Sequence, residues 1–289
     1  MQPLTFRSSL AFIRFKVSIA VTFSAYTAAI ICRGSFSLLD LLPMSGIFLL
    51  AAGASAMNQF QERNYDAMMS RTRKRPIPSA EIEPGTSLWI AFFLIFAGLI
   101  LISTGEHWLT LLLGIFNIIW YNGFYTWLKR KSAFAVVPGA LTGAIPVLMG
   151  WTAAGGDLLN PLPLFLAFFI FLWQVPHFWL LALLYEDDYR NAGFPTLSGL
   201  FSLPQMKKII FAWLLAASLS SVLMILFGIV NIEITAVIII VLNAVLLFLS
   251  AFYLFISRIS GYRFLFLMVN IFMLLVFCLI ISDNIFSGI

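Results

Sequence analysis

Residues 58–76 read NQFQERNYDAMMSRTRKRP, and three of them, Asn58, Glu62 and Asp66, recur at every fourth position. In a helix that spacing lines them on one face, with successive side chains about 6 Å apart along the axis. The result is a stripe of oxygen donors, one amide and two carboxylates. Such hard ligands suit Mg²⁺, which keeps several waters and shares its shell between one or two carboxylates and substrate phosphates. Arg71, Arg73, Lys74 and Arg75 follow within one short segment. Bare carboxylates repel a diphosphate, whereas carboxylates holding a divalent ion and flanked by guanidinium groups accommodate one. The plainer reading of the same residues is a solvated loop whose acids and bases compensate one another.

A second acidic group stands in YEDDYRNAG at 185–193, where Asp187 and Asp188 follow a long apolar run. Two separated acidic clusters on one side of a membrane can hold a diphosphate between them through bridging metal ions. A lone acidic doublet is a weak signal; paired with the first stripe it gains weight.

The elements that must position these residues are set by composition. The chain is 62% hydrophobic and 10% charged, with a mean hydropathy of +1.01, which excludes an ordinary soluble domain. A bilayer core about 30 Å thick needs roughly 20 apolar residues per helix. Breaks rich in charge, Gly or Pro divide the chain into nine such runs, at 15–32, 38–57, 87–104, 107–127, 134–154, 162–183, 208–230, 232–256 and 263–282. The expectation is an all-α integral membrane protein forming one domain over 1–289, in which every backbone polar group is satisfied within its own helix. No cleavable leader is evident after Arg14 and Lys16, so the first helix is expected to stay. Cys32 and Cys278 lie in separate apolar runs without metal or redox spacing. Arg7, Arg14, Lys16, Arg63 with the run at 71–75, Lys129 to Lys131, Arg190, Lys207, Lys208, Arg258 and Arg263 fall at the amino terminus and in every second loop, with Arg33 on the opposite side. Under the positive-inside rule the amino terminus is cytoplasmic and the carboxyl terminus outside. The net charge of +5 follows from this asymmetry and implies no nucleic-acid surface.

The motifs occur in a telling order: NxxxExxxD, MMSRTRKRP, YTWLKR at 125–130, GALTGAIPVLMGW at 139–151, WQVPHFW at 173–179 and DDYRNAGFPTL at 187–197. Over 58–197 the chain resembles the protoheme IX farnesyltransferases, or haem O synthases, of the UbiA-type intramembrane prenyltransferase superfamily. Glu62 in place of the superfamily's usual Asp, and the PHFW segment, point to the haem branch. The resemblance implies nine transmembrane helices bundled around a central cavity and capped by the two acidic loops. It implies farnesyl diphosphate and haem B as substrates, Mg²⁺ as cofactor, and the inner (plasma) membrane as location, with haem-handling or oxidase-assembly proteins as partners. Carried over by position, Asn58, Glu62 and Asp66 match the first metal-diphosphate motif and Asp187 and Asp188 the second. Arg71, Arg75, Lys129 and Arg130 match the phosphate-side cations.

Further residues are weighed beside that resemblance. His177 stands near where quinone-making relatives carry an acid, and Leu184 replaces another, which favours the haem branch over quinone- or chlorophyll-type enzymes. Neutral imidazole can contact haem, or His177 can bond a carbonyl freed by Pro176. Asn117, Tyr121 and Asn122 lie near the cytoplasmic end of the fourth span, Asn117 and Tyr121 on one face, and are expected to line the cavity, against ordinary interhelix bonding. An ion-coupled transporter is disfavoured because the acids cluster at helix ends on one side rather than at midplane.

Overall fold

A computed structural model describes residues 5–105, 107–257 and 261–287. Among them nine helical segments are long and apolar enough to cross a membrane: Phe15–Arg33, Leu38–Met68, Pro84–Ser103, Trp108–Leu128, Ala133–Ala153, Pro161–Leu184, Leu203–Leu226, Glu233–Ile256 and Tyr262–Ser287. The number and order agree with the apolar runs. Arg258, expected among the cytoplasmic cations, lies outside the described residues.

The largest departure from expectation is the second span. Its helix, α3 (Leu41–Met68), runs about three turns beyond residue 57, because turning polar does not end a helix and no Pro follows before Pro76. The polar extension is what carries Asn58, Glu62 and Asp66. Met69 then adopts an extended backbone, and the Thr72 hydroxyl donates to the Asp66 carbonyl at 2.9 Å, satisfying one of the groups orphaned at the helix end.

Before the first span lies a short helix unforeseen from sequence, α1 (Phe6–Phe12), capped by Thr5, whose hydroxyl accepts from the Ser8 N–H. The buried Gln59 amide of α3 donates to the carbonyls of Ala11 and Phe12 at 3.0 and 2.6 Å, fixing this helix against the charged end. The first span, α2 (Phe15–Arg33), starts at Arg14, which holds a left-handed backbone of φ 45°, ψ 52°. For an L residue that conformation costs about 1–2 kcal/mol.

Close helix approach depends on small residues, as expected where lipid provides no hydrophobic drive between helices. The third span, α4 (Pro84–Ser103), packs on α3 through Gly46 and Gly98; a Cβ at Gly98 would meet the Gly46 carbonyl and the Leu50 N–H at 2.8 Å. The fourth span begins as α5 (Trp108–Ile118) and widens into a π-helical turn, Ile119–Tyr125. Thr126 supports that turn: both its N–H and its hydroxyl donate to the Tyr121 carbonyl. The fifth span ends in α6 (Leu141–Ala153), whose Gly150 lies directly on the Ala25 carbonyl of α2. The sixth span is α7 (Pro161–Leu184), followed by one and a half turns of α8 (Glu186–Asn191). At the other end of the bundle Arg33, the exception to the charge rule, is neutralised by the buried Asp40 through contacts of 3.0 and 3.1 Å. The principal apolar core runs between the first span and the fifth to ninth and includes Ile31, Trp173, Trp179, Phe169, Phe272 and Phe277.

Candidate active site

The loops after the second, fourth and sixth spans and the amino-terminal α1 meet at one end of the bundle, around the polar extension of α3. Asn58, Glu62 and Asp66 are 0%, 4% and 1% exposed. Charges this deeply buried are tolerated only with partners, and each has a different one. The Asn58 Oδ1 accepts from Arg14 Nη2 at 2.9 Å, while its amide donates to Thr126 Oγ1 at 3.1 Å. Glu62 lies 2.5 Å from Lys129 Nζ. Both Asp66 oxygens accept from Arg75 Nη1, at 2.8 and 2.7 Å.

Arg14, Arg75 and Lys129 thus crowd two carboxylates, and the surplus is felt. Burial, with the neighbouring Arg14 charge, pulls the Arg75 guanidinium down to about 10 against the opposing attraction of Asp66. Burial likewise pulls the Lys129 ammonium down, with Glu62 opposing. The Arg14 Nε–H is buried with no partner. A cluster with excess positive charge and an unspent buried donor is arranged for an anion.

The other expected residues divide. Tyr121 joins the cluster, its hydroxyl accepting from Arg14 Nη1 at 3.4 Å, because the π turn aims it at α3. Arg71 lies at the rim, exposed, with its guanidinium 4.8 Å from the Tyr185 ring centre. Arg130 is not brought to the stripe; it donates to the Gln61 carbonyl at 2.9 Å and lies over the Tyr65 ring. Asp188 is buried, but its oxygens accept from the Ser70 N–H (2.9 Å), the Ser70 hydroxyl (2.7 Å) and the Arg71 N–H (3.1 Å). Burial raises this carboxyl, and the bonds from Ser70 and Arg71 bring it below its ordinary range. Asp187 points away: its side chain is 83% exposed and paired with Arg190. Adjacent residues in a helix diverge by about 100°, and in this structure the doublet of α8 turns only Asp188 inward. Asn117 donates to the Thr142 carbonyl at 3.2 Å. His177 lies deeper in α7 between the rings of Trp173 and Phe266, each centre 4.8 Å away.

Sequence reasoning missed Arg14 as a site residue, along with Thr126 and the stitch between Gln61 and Asn122, whose side chains and backbone exchange bonds of 3.0 and 3.2 Å. The one available signal for Arg14 was a cation just ahead of the first apolar run, which topology alone explains.

Mg²⁺ fits the chemistry of the donor set. Among the described residues no three His, Cys, Asp or Glu side chains converge as an all-protein cage. Two carboxylates and an amide on one face suit an ion completed by water and phosphate oxygens.

The profile of the UbiA prenyltransferase family matches residues 18–277. Protoheme IX farnesyltransferase of Geobacter sulfurreducens is 43% identical over 152 residues, covering 53% of this chain and 56% of that protein. The enzyme of the same name from Nitratidesulfovibrio vulgaris is 38% identical over 192 residues, 66% of each. The chain therefore aligns with between about half and two thirds of the length of these curated relatives. Among solved structures, digeranylgeranylglyceryl phosphate synthase superposes with a TM-score of 0.78 at 16% identity, covering 96% of this chain and 98% of that one. A UbiA homologue from Archaeoglobus fulgidus bound to GPP and Mg²⁺ gives 0.68 at 14% identity, covering 96% and 98%. With the same helical architecture, a buried acid and amide stripe ringed by cations and a family match over nearly the whole chain, this protein belongs to the UbiA prenyltransferase family.

Proposed function

We propose that the chain transfers the farnesyl group of farnesyl diphosphate to a vinyl group of haem B, with addition of water, giving haem O. The observation that carries a prenyl-diphosphate reaction is the convergence of Arg14, Arg75 and Lys129 on Asn58, Glu62 and Asp66 at the mouth of an apolar bundle. Haem as acceptor is supported by the names of the curated relatives. Asn58, Glu62 and Asp66 would hold Mg²⁺, which supplies Lewis-acid stabilisation of the leaving diphosphate.

The chain's own residues do the rest. Arg14 exchanges the Asn58 amide oxygen, and Arg75 and Lys129 their carboxylate partners, for phosphate oxygens, and the three take up charge as the allylic C–O bond breaks. Arg14 approaches from a backbone bend fixed by Gln59, so its donors are placed before substrate arrives. Asp188 holds the Ser70–Arg71 turn and thereby sets where Arg71 and Arg75 stand. The surrounding helices keep bulk water from the first cation. The reading places this end of the bundle in the cytoplasm and the chain in the inner membrane, supported by the cations in alternate loops. Product is then handed to haem-handling or oxidase-assembly proteins.

The test is a product assay in which purified protein receives farnesyl diphosphate, Mg²⁺ and either haem B or 4-hydroxybenzoate. Mass spectrometry is expected to show a hydroxyethylfarnesyl porphyrin. Prenylation of the benzoate with haem left untouched would replace the haem reading by a quinone-type one.

A further inference from the structure

Two carboxamides outside the diphosphate cluster face one peptide unit in the interior of the bundle. The Asn117 Nδ2 of α5 donates to the Thr142 carbonyl, and its Oδ1 is buried without a partner. The head group of Gln174, on α7, lies against the bare Cα of the next residue, Gly143: a Cβ there would overlap the Gln174 carboxamide. The Gln174 Oε1 is likewise buried and unpartnered. A buried acceptor is costly to leave unmet, and in proteins groups of this kind are met by ordered water. The pair also stands at a useful depth. Asn117 is about one helical turn further into the membrane than Tyr121, whose hydroxyl meets Arg14 beside Asn58.

We propose that Asn117 and Gln174 bind the water molecule that captures the second cation of the reaction. The assignment rests on the functional reading above. When the allylic C–O bond breaks, diphosphate departs and the farnesyl carbon bonds to the terminal vinyl carbon, leaving the positive charge on the vinyl carbon next to the porphyrin. A water donating one hydrogen to each carboxamide oxygen has its lone pairs free and directed away from both. It forms the C–O bond, and the released diphosphate, the strongest base the reaction itself supplies, takes the excess proton. Without a held water the cation instead loses a proton from the adjacent carbon and closes to an alkene, one water lighter. The carboxamides therefore decide between hydration and elimination while leaving the diphosphate grip to other residues.

The experiment measures the ratio of hydrated to dehydrated product per farnesyl group transferred, in ¹⁸O-labelled water, for wild type, Gln174→Met and Gly143→Ala. The glycine variant keeps both amides but displaces the flexible Gln174 head group by one methyl. Melting curves and farnesyl diphosphate titrations on the same preparations control for folding. Wild type is expected to place ¹⁸O in the product, and both variants to lower the ratio by about tenfold or more. Because the ratio is independent of turnover rate, a merely structural role for Gln174 leaves it unmoved. An unaltered ratio in folded Gln174→Met overturns the water site; if that variant does not fold, an unaltered ratio in Gly143→Ala does so. A wild type that forms no hydrated haem product refutes the functional reading, and this assignment with it; a hydrating wild type with equally hydrating variants sinks the water site alone.

Discussion

Replacing Asp188 and Ser70 separately distinguishes a carboxylate that ligates metal from one that holds a loop. In the structure Asp188 accepts three bonds from Ser70 and Arg71. A hydrogen bond to a charged group contributes about 1.5–3 kcal/mol, but Ser70 is exposed and water competes, so about 1 kcal/mol per bond is the better figure. Ser70→Ala removes one bond and is expected to cost about 1 kcal/mol; Asp188→Ala removes all three and should cost about 3 kcal/mol. Since the turn carries Arg71 and leads to Arg75, both variants are expected to weaken farnesyl diphosphate binding in that order. The Mg²⁺ concentration giving half-maximal binding should stay where it is in wild type. Thermal melts and Mg²⁺ titrations of diphosphate binding on detergent-solubilised protein measure both quantities. If Asp188→Ala moves the Mg²⁺ midpoint several-fold while Ser70→Ala leaves it alone, Asp188 is a metal ligand and the loop-holding argument is refuted.

Asp66→Asn leaves the half-buried Arg75 without its counter-charge and removes a hard ligand, so Mg²⁺-dependent farnesyl diphosphate binding should fall by at least about tenfold; titration with and without Mg²⁺ checks this, and unchanged metal dependence contradicts the ligand role. Gly150→Ala drives a methyl into the Ala25 carbonyl, a backbone atom that cannot rotate away, and should cost at least about 1–3 kcal/mol; a melting temperature equal to wild type would show that α2 and α6 are less closely apposed. Single cysteines at Glu83 and Asn191 should react with an impermeant thiol reagent from the same side of the membrane, since the loops that carry them flank one site; reaction from opposite sides makes that site impossible.

What sequence could and could not reveal follows from the range of the forces involved. Span count and order were legible because the bilayer imposes a length on every apolar run, and the stripe was legible because a four-residue spacing is a local geometric fact. Hydropathy alone hid the polar extension of α3, since it records where lipid contact ends and not where hydrogen bonding ends; only the spacing of the stripe pointed to it. Arg14 was hidden because its partner Asn58 is far away in sequence, and its charge already had a topological explanation. The direction of Asp187 depends on the rotation of a helix of six residues, which the bonds from Ser70 and Arg71 to Asp188 decide. The π turn around Tyr121 depends on Thr126, which stands close by in sequence without any mark of that role, and on Asn58 from another span, which no local pattern contains.

The pairing scheme has a consequence for how the chain is made. Synthesis runs from the amino terminus, so Arg14 precedes the stripe that it serves. Asp66 meets Arg75 almost as soon as it is synthesised, because the two are separated by a single turn-rich stretch. The ion-pair partner of Glu62, Lys129, arrives two spans later. During insertion the end of α3 therefore carries one acid already neutralised and one exposed, and a naked carboxylate resists entering a low-dielectric bundle. Glu62 gains its ion pair only when the fourth span is delivered and Lys129 closes it. Ion pairing of Glu62 thus waits for a single late-arriving ammonium group, and lengthening the loop between the third and fourth spans would delay it.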